Sequence, residues 1–290
     1  MSLLVVLLVA GAAVVHATWN IVIKSVRQGG VAFIWVTFAV GAVVFAPFGI
    51  WSLVDSGAHL GHWVGFAVVS GALQVLYFLL LQKAYAIGDV SVVYPLARGT
   101  GPLLSVVLAV VLLGERPGIL ALIGAVVVVA GVMTIGFAGG RASAAGNRAG
   151  VLFGLLIGLL IACYTLWDAT AVTIGNLPVV GLYWGSVLFQ TVLLAPAALS
   201  RGAGRSAVVA AARTHRLPAL TVGVLAPLGY ILVLLAMQLA PVSIIAPARE
   251  VSVVLVGLAG WLLFREPHPV QRLIGAAIVL LGVGLLAAQQ

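Results

Sequence analysis

Ten apolar stretches, each close to the ~20 residues a helix needs to cross a bilayer, take up almost all of this 290-residue chain. They run over 3–23, 32–54, 62–86, 91–113 and 119–137, then over 150–172, 179–200, 217–239, 242–263 and 270–288. The runs are continuous rather than alternating, which excludes a membrane β-barrel. A helix then satisfies every backbone N–H and C=O where no water can. Hydrophobic residues make up 63% of the chain and charged residues 7%, with a mean hydropathy of +1.28. No water-soluble domain needs so much apolar surface. The expectation is an all-α integral membrane protein of ten transmembrane helices.

The chain also repeats itself. Residues 84–117, AYAIGDVSVVYPLARGTGPLLSVVLAVVLLGERP, return in altered form as residues 240–267, APVSIIAPAREVSVVLVGLAGWLLFREP. Ser91 and Pro95 answer to Ser243 and Pro247. Arg98 and Glu115 answer to Arg249 and Glu266 at an offset one residue smaller. The fifth helix carries Leu122-Ile123-Gly124-Ala125 and Gly131-Val132, and the tenth Leu273-Ile274-Gly275-Ala276 and Gly282-Val283. Glycines seven apart share a helix face where backbones can approach closely. Five helices per half is an odd number, so the second half enters the membrane upside down, as an inverted repeat. The expected division is 1–137 for the first repeat, 138–149 for a Gly/Ala/Ser-rich linker and 150–290 for the second.

The charge balance orients the chain. The net charge of +8 is spread over loops. No basic patch is interleaved with aromatics, so nucleic acid is not an expected partner. Lys24, Arg27, Lys83, Arg141, Arg148, Arg201, Arg205, Arg213, Arg216, Arg265 and Arg272 lie in odd-numbered loops, and only Arg116 in an even one. This asymmetry puts the odd loops in the cytoplasm and both termini outside an inner or plasma membrane. The N-terminal stretch lacks a basic leader region and reads as a retained helix. Cys163, the single cysteine, lies within a span and forms no intrachain disulfide.

Polar residues inside the spans mark candidate sites, because each is costly there. Arg98 lies about eight residues into the fourth helix, or ~12 Å from its surface, beside Pro95 and Pro102. Tyr94 stands one turn earlier. Proline frees a backbone carbonyl and kinks the helix. A kinked helix carrying a cation is how transporters build binding sites. Arg249 is its counterpart, followed directly by Glu250. Arg98 has no acidic neighbour in its own helix, so it reads either as an anion anchor or as a structural cation. The inverted repeat puts Arg98 toward the odd-loop side and Arg249 toward the even-loop side. His16, Trp19 and Asn20 share one helix face, and Tyr164, Trp167 and Asp168 repeat that spacing. Tyr77 answers to Tyr230. These read as walls of a polar cavity, or more plainly as helix packing. Asp168 and Glu250 are the acids well within spans. Either exchanges protons during transport or bridges to Arg249 as a gate. Glu115 and Arg116 are expected to end their helix at the surface. His59 and His62 lack acidic or thiol partners and read as interfacial loop residues, so no metal is expected.

The repeated YPLARGTGPLLSVVLAVVLLGERP, the opening HATWNIVIK and the five-plus-five layout resemble the EamA family of the drug/metabolite transporter superfamily. The likeness covers nearly the whole chain. It implies secondary transport, often export, of a small organic metabolite: an amino acid, an organic anion or a drug-like molecule. The alternative is proton-coupled efflux of cationic compounds. The second copy departs from the first at Ala246-Pro247-Ala248-Arg249-Glu250, so the halves need not bind equivalently. No HExxH, GxSxG or paired intramembrane aspartates support an enzyme, and no filter-like repeat supports a channel. The expected partners are a small-molecule substrate, with proton coupling open, and membrane lipid. No cofactor is expected, and the chain is read as a monomer or homodimer.

Overall fold

The structure, a computed structural model, describes residues 1–26, 30–87, 90–137, 148–200, 203–264 and 268–288. Arg27, Gly88-Asp89, the 138–147 part of the linker with Arg141, Arg201, Arg265-Glu266 and Gln290 lie outside the described residues, as do the side chains of Lys24 and Ser91. The elements are helices: α1 (Leu3–Ser25), α2 (Gly30–Val44), α3 (Ala46–Ser56), α4 (Leu60–Ile87), α5 (Val90–Leu112), α6 (Ile119–Phe137), α7 (Arg148–Thr173), α8 (Val179–Ala198), α9 (Ala203–Thr214), α10 (Arg216–Leu239), α11 (Val242–Ala248), α12 (Val251–Phe264) and α13 (Pro269–Ala287).

Among the described residues, nine stretches are long and apolar enough to cross a membrane, with α11 and α12 counted together. The pair α2–α3, bent by 49° beside Pro47, makes a tenth. Two features of the spans and their loops differ from the sequence reading. The basic loop between the seventh and eighth spans contains α9, whose buried Val208 and Ala211 rest against Phe33 and Val36 of α2. The ninth span is broken, because Arg249 and Glu250 form a turn between α11 and α12.

The halves interleave rather than standing as separate bundles. The most extensive pairings, α6 with α13, α5 with α7, α1 with α10 and α4 with α8, all join one half to the other. They come in matched sets. The α5–α7 contact is answered by α12–α1, α4–α7 by α10–α1, and α4–α8 by α10–α2. The α6–α13 pairing is its own counterpart. This is the pattern expected of two repeats related by a pseudo-two-fold axis in the membrane plane.

Close contact on the axis needs glycine. A Cβ added at Gly131 would stand 2.7 Å from the Gly275 carbonyl, and one at Gly275 would stand 2.9 Å from the Gly131 carbonyl. Gly124 and Gly282 face each other in the same way, at 2.9 and 2.8 Å. Polar clamps add to the seam. Indole N–H groups of Trp35, Trp63, Trp167 and Trp184 donate to the carbonyls of Thr191, Gly181, Phe66 and Ala42, each across the two halves, at 2.9–3.0 Å. Glu115 departs from its expected surface role. Its two carboxylate oxygens accept from the Val242 and Ser243 amides at 2.7 and 2.9 Å. Those amides open α11 and have no partner within the helix, so a carboxylate satisfies both and complements the helix dipole.

Candidate functional site

A cavity of about 180 Å³ lies where the two halves meet. An engineered cavity of about 150 Å³ accepts benzene, so there is room here for a small organic molecule. Its wall takes residues from α1, α2, α4, α5, α7, α8, α10, the α11–α12 break and the start of α12. Of the residues singled out in the sequence, His16, Trp19, Tyr77, Arg98, Tyr164, Tyr230, Arg249 and Glu250 line it.

Aromatic rings form a continuous part of the wall. Ring contacts run in a chain from Phe38 to Phe78 (5.2 Å), Tyr77 (5.0 Å), Tyr164 (6.1 Å), Tyr230 (6.0 Å) and Tyr183 (4.9 Å). These six rings come from α2, α4, α7, α10 and α8. Tilted and edge-on contacts at such spacings suit the ring quadrupole and hold the rings as a firm surface. Such a surface fits the flat or apolar body of a ligand.

The charged end is built by α5 and the break in the ninth span. An Arg98 Nη donates to His16 Nε2 at 3.0 Å. Arginine only donates, so that histidine nitrogen accepts and the imidazole is neutral. Arg98 Nε stands 3.5 Å from one Glu250 oxygen, and Arg249 Nε stands 3.6 Å from the other. Arg98 is therefore not the unpaired cation that its own helix suggested. Its counter-ion comes from residue 250, which the fold brings next to it. The two arginines also meet at one carboxylate, Glu250, rather than acting as two independent anchors. The break permits this. Pro247 lacks an amide proton, and the chain tightens into short-range bonds, from Glu250 N to Pro247 O (3.0 Å) and from Ser252 N to Arg249 O (3.2 Å). The turn leaves both side chains facing inward.

Four expected site residues do not line the cavity. Asn20 donates back to the His16 carbonyl at 2.7 Å. Trp167 is held by Phe66 through its indole N–H at 3.0 Å. Tyr94 is partly buried elsewhere on α5. Asp168 is fully buried one layer back, where it accepts from the Tyr230 hydroxyl at 2.9 Å and from the Gln74 amide at 3.5 Å. No ion pair joins Asp168 to Arg249 among the described residues; the acid that pairs with Arg249 there is Glu250. The physical reason is placement: Asp168 is bonded by Tyr230 of α10 and Gln74 of α4, whereas Arg249 has Glu250 beside it.

Gln74, Tyr183, Gln190 and Ser252 also line the cavity and were missed. The Gln190 amide donates to the Gln74 carbonyl at 3.1 Å, and both glutamine amides reach Ser186 Oγ, at 3.1 and 3.2 Å. Ser70 and Ser186 hydroxyls lie 2.9 Å apart. This network ties α4 to α8 and shields Asp168. Its signal was present as two glutamines within spans, Gln74 and Gln190, which cost too much in lipid to be there without partners.

Comparison with known proteins places the architecture. The family model described as EamA-like transporter family matches residues 3–137 and again 148–288. The chain belongs to the EamA-like transporter family. It is thus a multi-pass membrane protein and a small-molecule transporter of the drug/metabolite transporter type. One solved structure, titled "Crystal structure of protein", is similar over 98% of this chain and 96% of its own, with a TM-score of 0.73 and 19% identity. That likeness concerns the fold alone. No curated protein matches the chain.

Proposed function

We propose that this EamA-like protein moves a small organic anion across the membrane by alternating access, with Arg98 anchoring the acid group and the aromatic wall holding the body. The observation that carries this is the charge of the lining. Two arginines face the cavity against one carboxylate, and Asp168 stands behind Tyr230 and Gln74 rather than on the wall. The same count disfavours a cationic drug, which would meet net positive charge in a site of low dielectric. Export is the direction the family resemblance implies.

Counterflow in proteoliposomes tests the reading. Vesicles loaded with unlabelled benzoate should accumulate labelled benzoate transiently, and vesicles loaded with benzyl alcohol should not. Accumulation of tetraphenylphosphonium with no carboxylate counterflow would sink the anion assignment.

The basic-loop asymmetry supports cytoplasmic odd loops and external termini. In a Cys163→Ser background, a cysteine replacing the exposed Val209 of α9 should resist impermeant thiol reagents in intact cells. One replacing the exposed Ser56 should react. The reverse pattern inverts the orientation.

A further inference from the structure

Glu250 is the only acid lining the cavity among the described residues, and it is 1% exposed. It faces two guanidiniums but grips neither well. Its distances to the two Nε atoms are 3.5 and 3.6 Å. Neither Nε, nor the Glu250 oxygen nearer Arg98, makes a hydrogen bond. An arginine that owned this carboxylate would form the two-bonded fork. Instead one carboxylate straddles two cations. His16 adds no charge, being the acceptor of the Arg98 bond. The other polar groups on the wall, the tyrosines, Gln74, Gln190, Thr37 and Ser252, are neutral groups. The lining therefore carries one positive charge in excess.

We propose that Glu250 sets the charge of the substrate: it neutralises one of the two arginines and leaves room for a single substrate carboxylate. When an organic monoanion enters, its carboxylate takes Arg98 and Glu250 keeps Arg249, its chain neighbour. One shared ion pair is exchanged for two separate ones, and the excess charge falls to zero. A dianion would overshoot to one negative charge in a place where water cannot offset it, so the site rejects it. The turn between α11 and α12 suits this exchange, because Glu250 sits on a break and not within a helical turn. The substrate class is thus an organic monoanion with one ring or a body of similar size. This rests on the reading of Arg98 as the anion anchor.

The test uses the purified full-length protein and three one-ring probes of charge zero, minus one and minus two: benzamide, benzoate and phthalate. Binding is read as thermal stabilisation over a concentration series. The wild type should be stabilised by benzoate, with phthalate at least tenfold weaker and benzamide inactive. Glu250→Gln removes one negative charge and leaves the shape, so the order should reverse, with phthalate at least tenfold stronger than benzoate. Loss of a merely structural glutamate would weaken both probes together and leave their order alone. A Glu250→Gln protein that still prefers benzoate overturns the proposal while leaving the anchor standing. Arg98→Gln separates the two ideas. If benzoate stabilises Arg98→Gln as well as the wild type, the anchor reading itself fails. If none of the probes stabilises the wild type, both fall. Should Glu250→Gln not survive purification, it is prepared with each probe present. Recovery in phthalate but not benzoate supports the proposal, and recovery in neither, or only in benzoate, overturns it.

Discussion

Replacing Arg98 by glutamine should weaken benzoate binding by roughly ten- to a hundred-fold, while the protein still inserts and folds. A charge-assisted hydrogen bond is worth about 1.5–3 kcal/mol, and each ~1.4 kcal/mol is a factor of ten in affinity. Arg98 meets the cavity with its side chain 16% exposed, so it is neither sealed away nor freely solvated. Folding should survive because Glu250 keeps a second cation, Arg249, at 3.6 Å. His16 loses a donor at 3.0 Å, but the glutamine amide can supply another. Arg98→Lys should fall between the two. Lysine keeps the charge but is a compact point, and cannot present the planar fork that spans both oxygens of a carboxylate. The measurement is the benzoate concentration that gives half-maximal thermal stabilisation. An Arg98→Gln protein with the wild-type value would make the residue a structural cation.

Adding a side chain at the glycine seam should cost far more stability than adding one at a glycine with open space beside it. A Cβ on Gly131 would meet the Gly275 carbonyl, the Val279 amide nitrogen and Val279 Cγ2, all at 2.7 Å. Two of these are backbone atoms of α13 and cannot turn aside. The helices must separate, and the packing along α6 and α13 goes with them. Overpacking a tight core typically costs about 1–3 kcal/mol, and Gly131→Ala should fall within that range. Gly131→Leu should exceed it and leave little folded protein. The control lies on the same helix pair. Gly284 of α13 has nothing within 4 Å of an added Cβ, so Gly284→Ala should be tolerated. The readout is the unfolding midpoint in detergent. Equal midpoints for Gly131→Ala and Gly284→Ala would show that the seam relaxes at no cost.

The seam was legible because glycine spacing is local information. Gly124 and Gly131 lie on one face by helix geometry alone, and the matching Gly275 and Gly282 announced a partner of the same kind. What could not be read was which face meets which. Gly131 opposes Gly275, and Gly124 opposes Gly282, because antiparallel helices cross in reverse order.

The cavity divides in the same way. His16, Tyr77, Arg98, Tyr164, Tyr230 and Arg249 stood out because polar or aromatic groups recurred at matching positions of two repeats. Repetition marks positions at which the two halves place polar or aromatic groups alike. It does not say which way each side chain turns. Trp19 lines the cavity, whereas its counterpart Trp167 donates to a carbonyl of α4. Asn20 and Asp168 match in sequence, yet one bonds back to its own helix and the other enters a buried network.

Spans, their number and their inverted repetition followed from the sequence alone. Each rests on the apolarity of a stretch about 20 residues long, and lipid forces such a stretch to be helical whatever its neighbours do. The pairing of Arg98 with Glu250 was decided only by the tertiary structure. The two residues lie in different halves, and neither carries a local signal of the other. Their meeting depends on how α5 crosses the α11–α12 break, and on a turn at Arg249-Glu250 that a continuous apolar run disguises. A charge in lipid must find a partner, but the chain in one dimension does not name it.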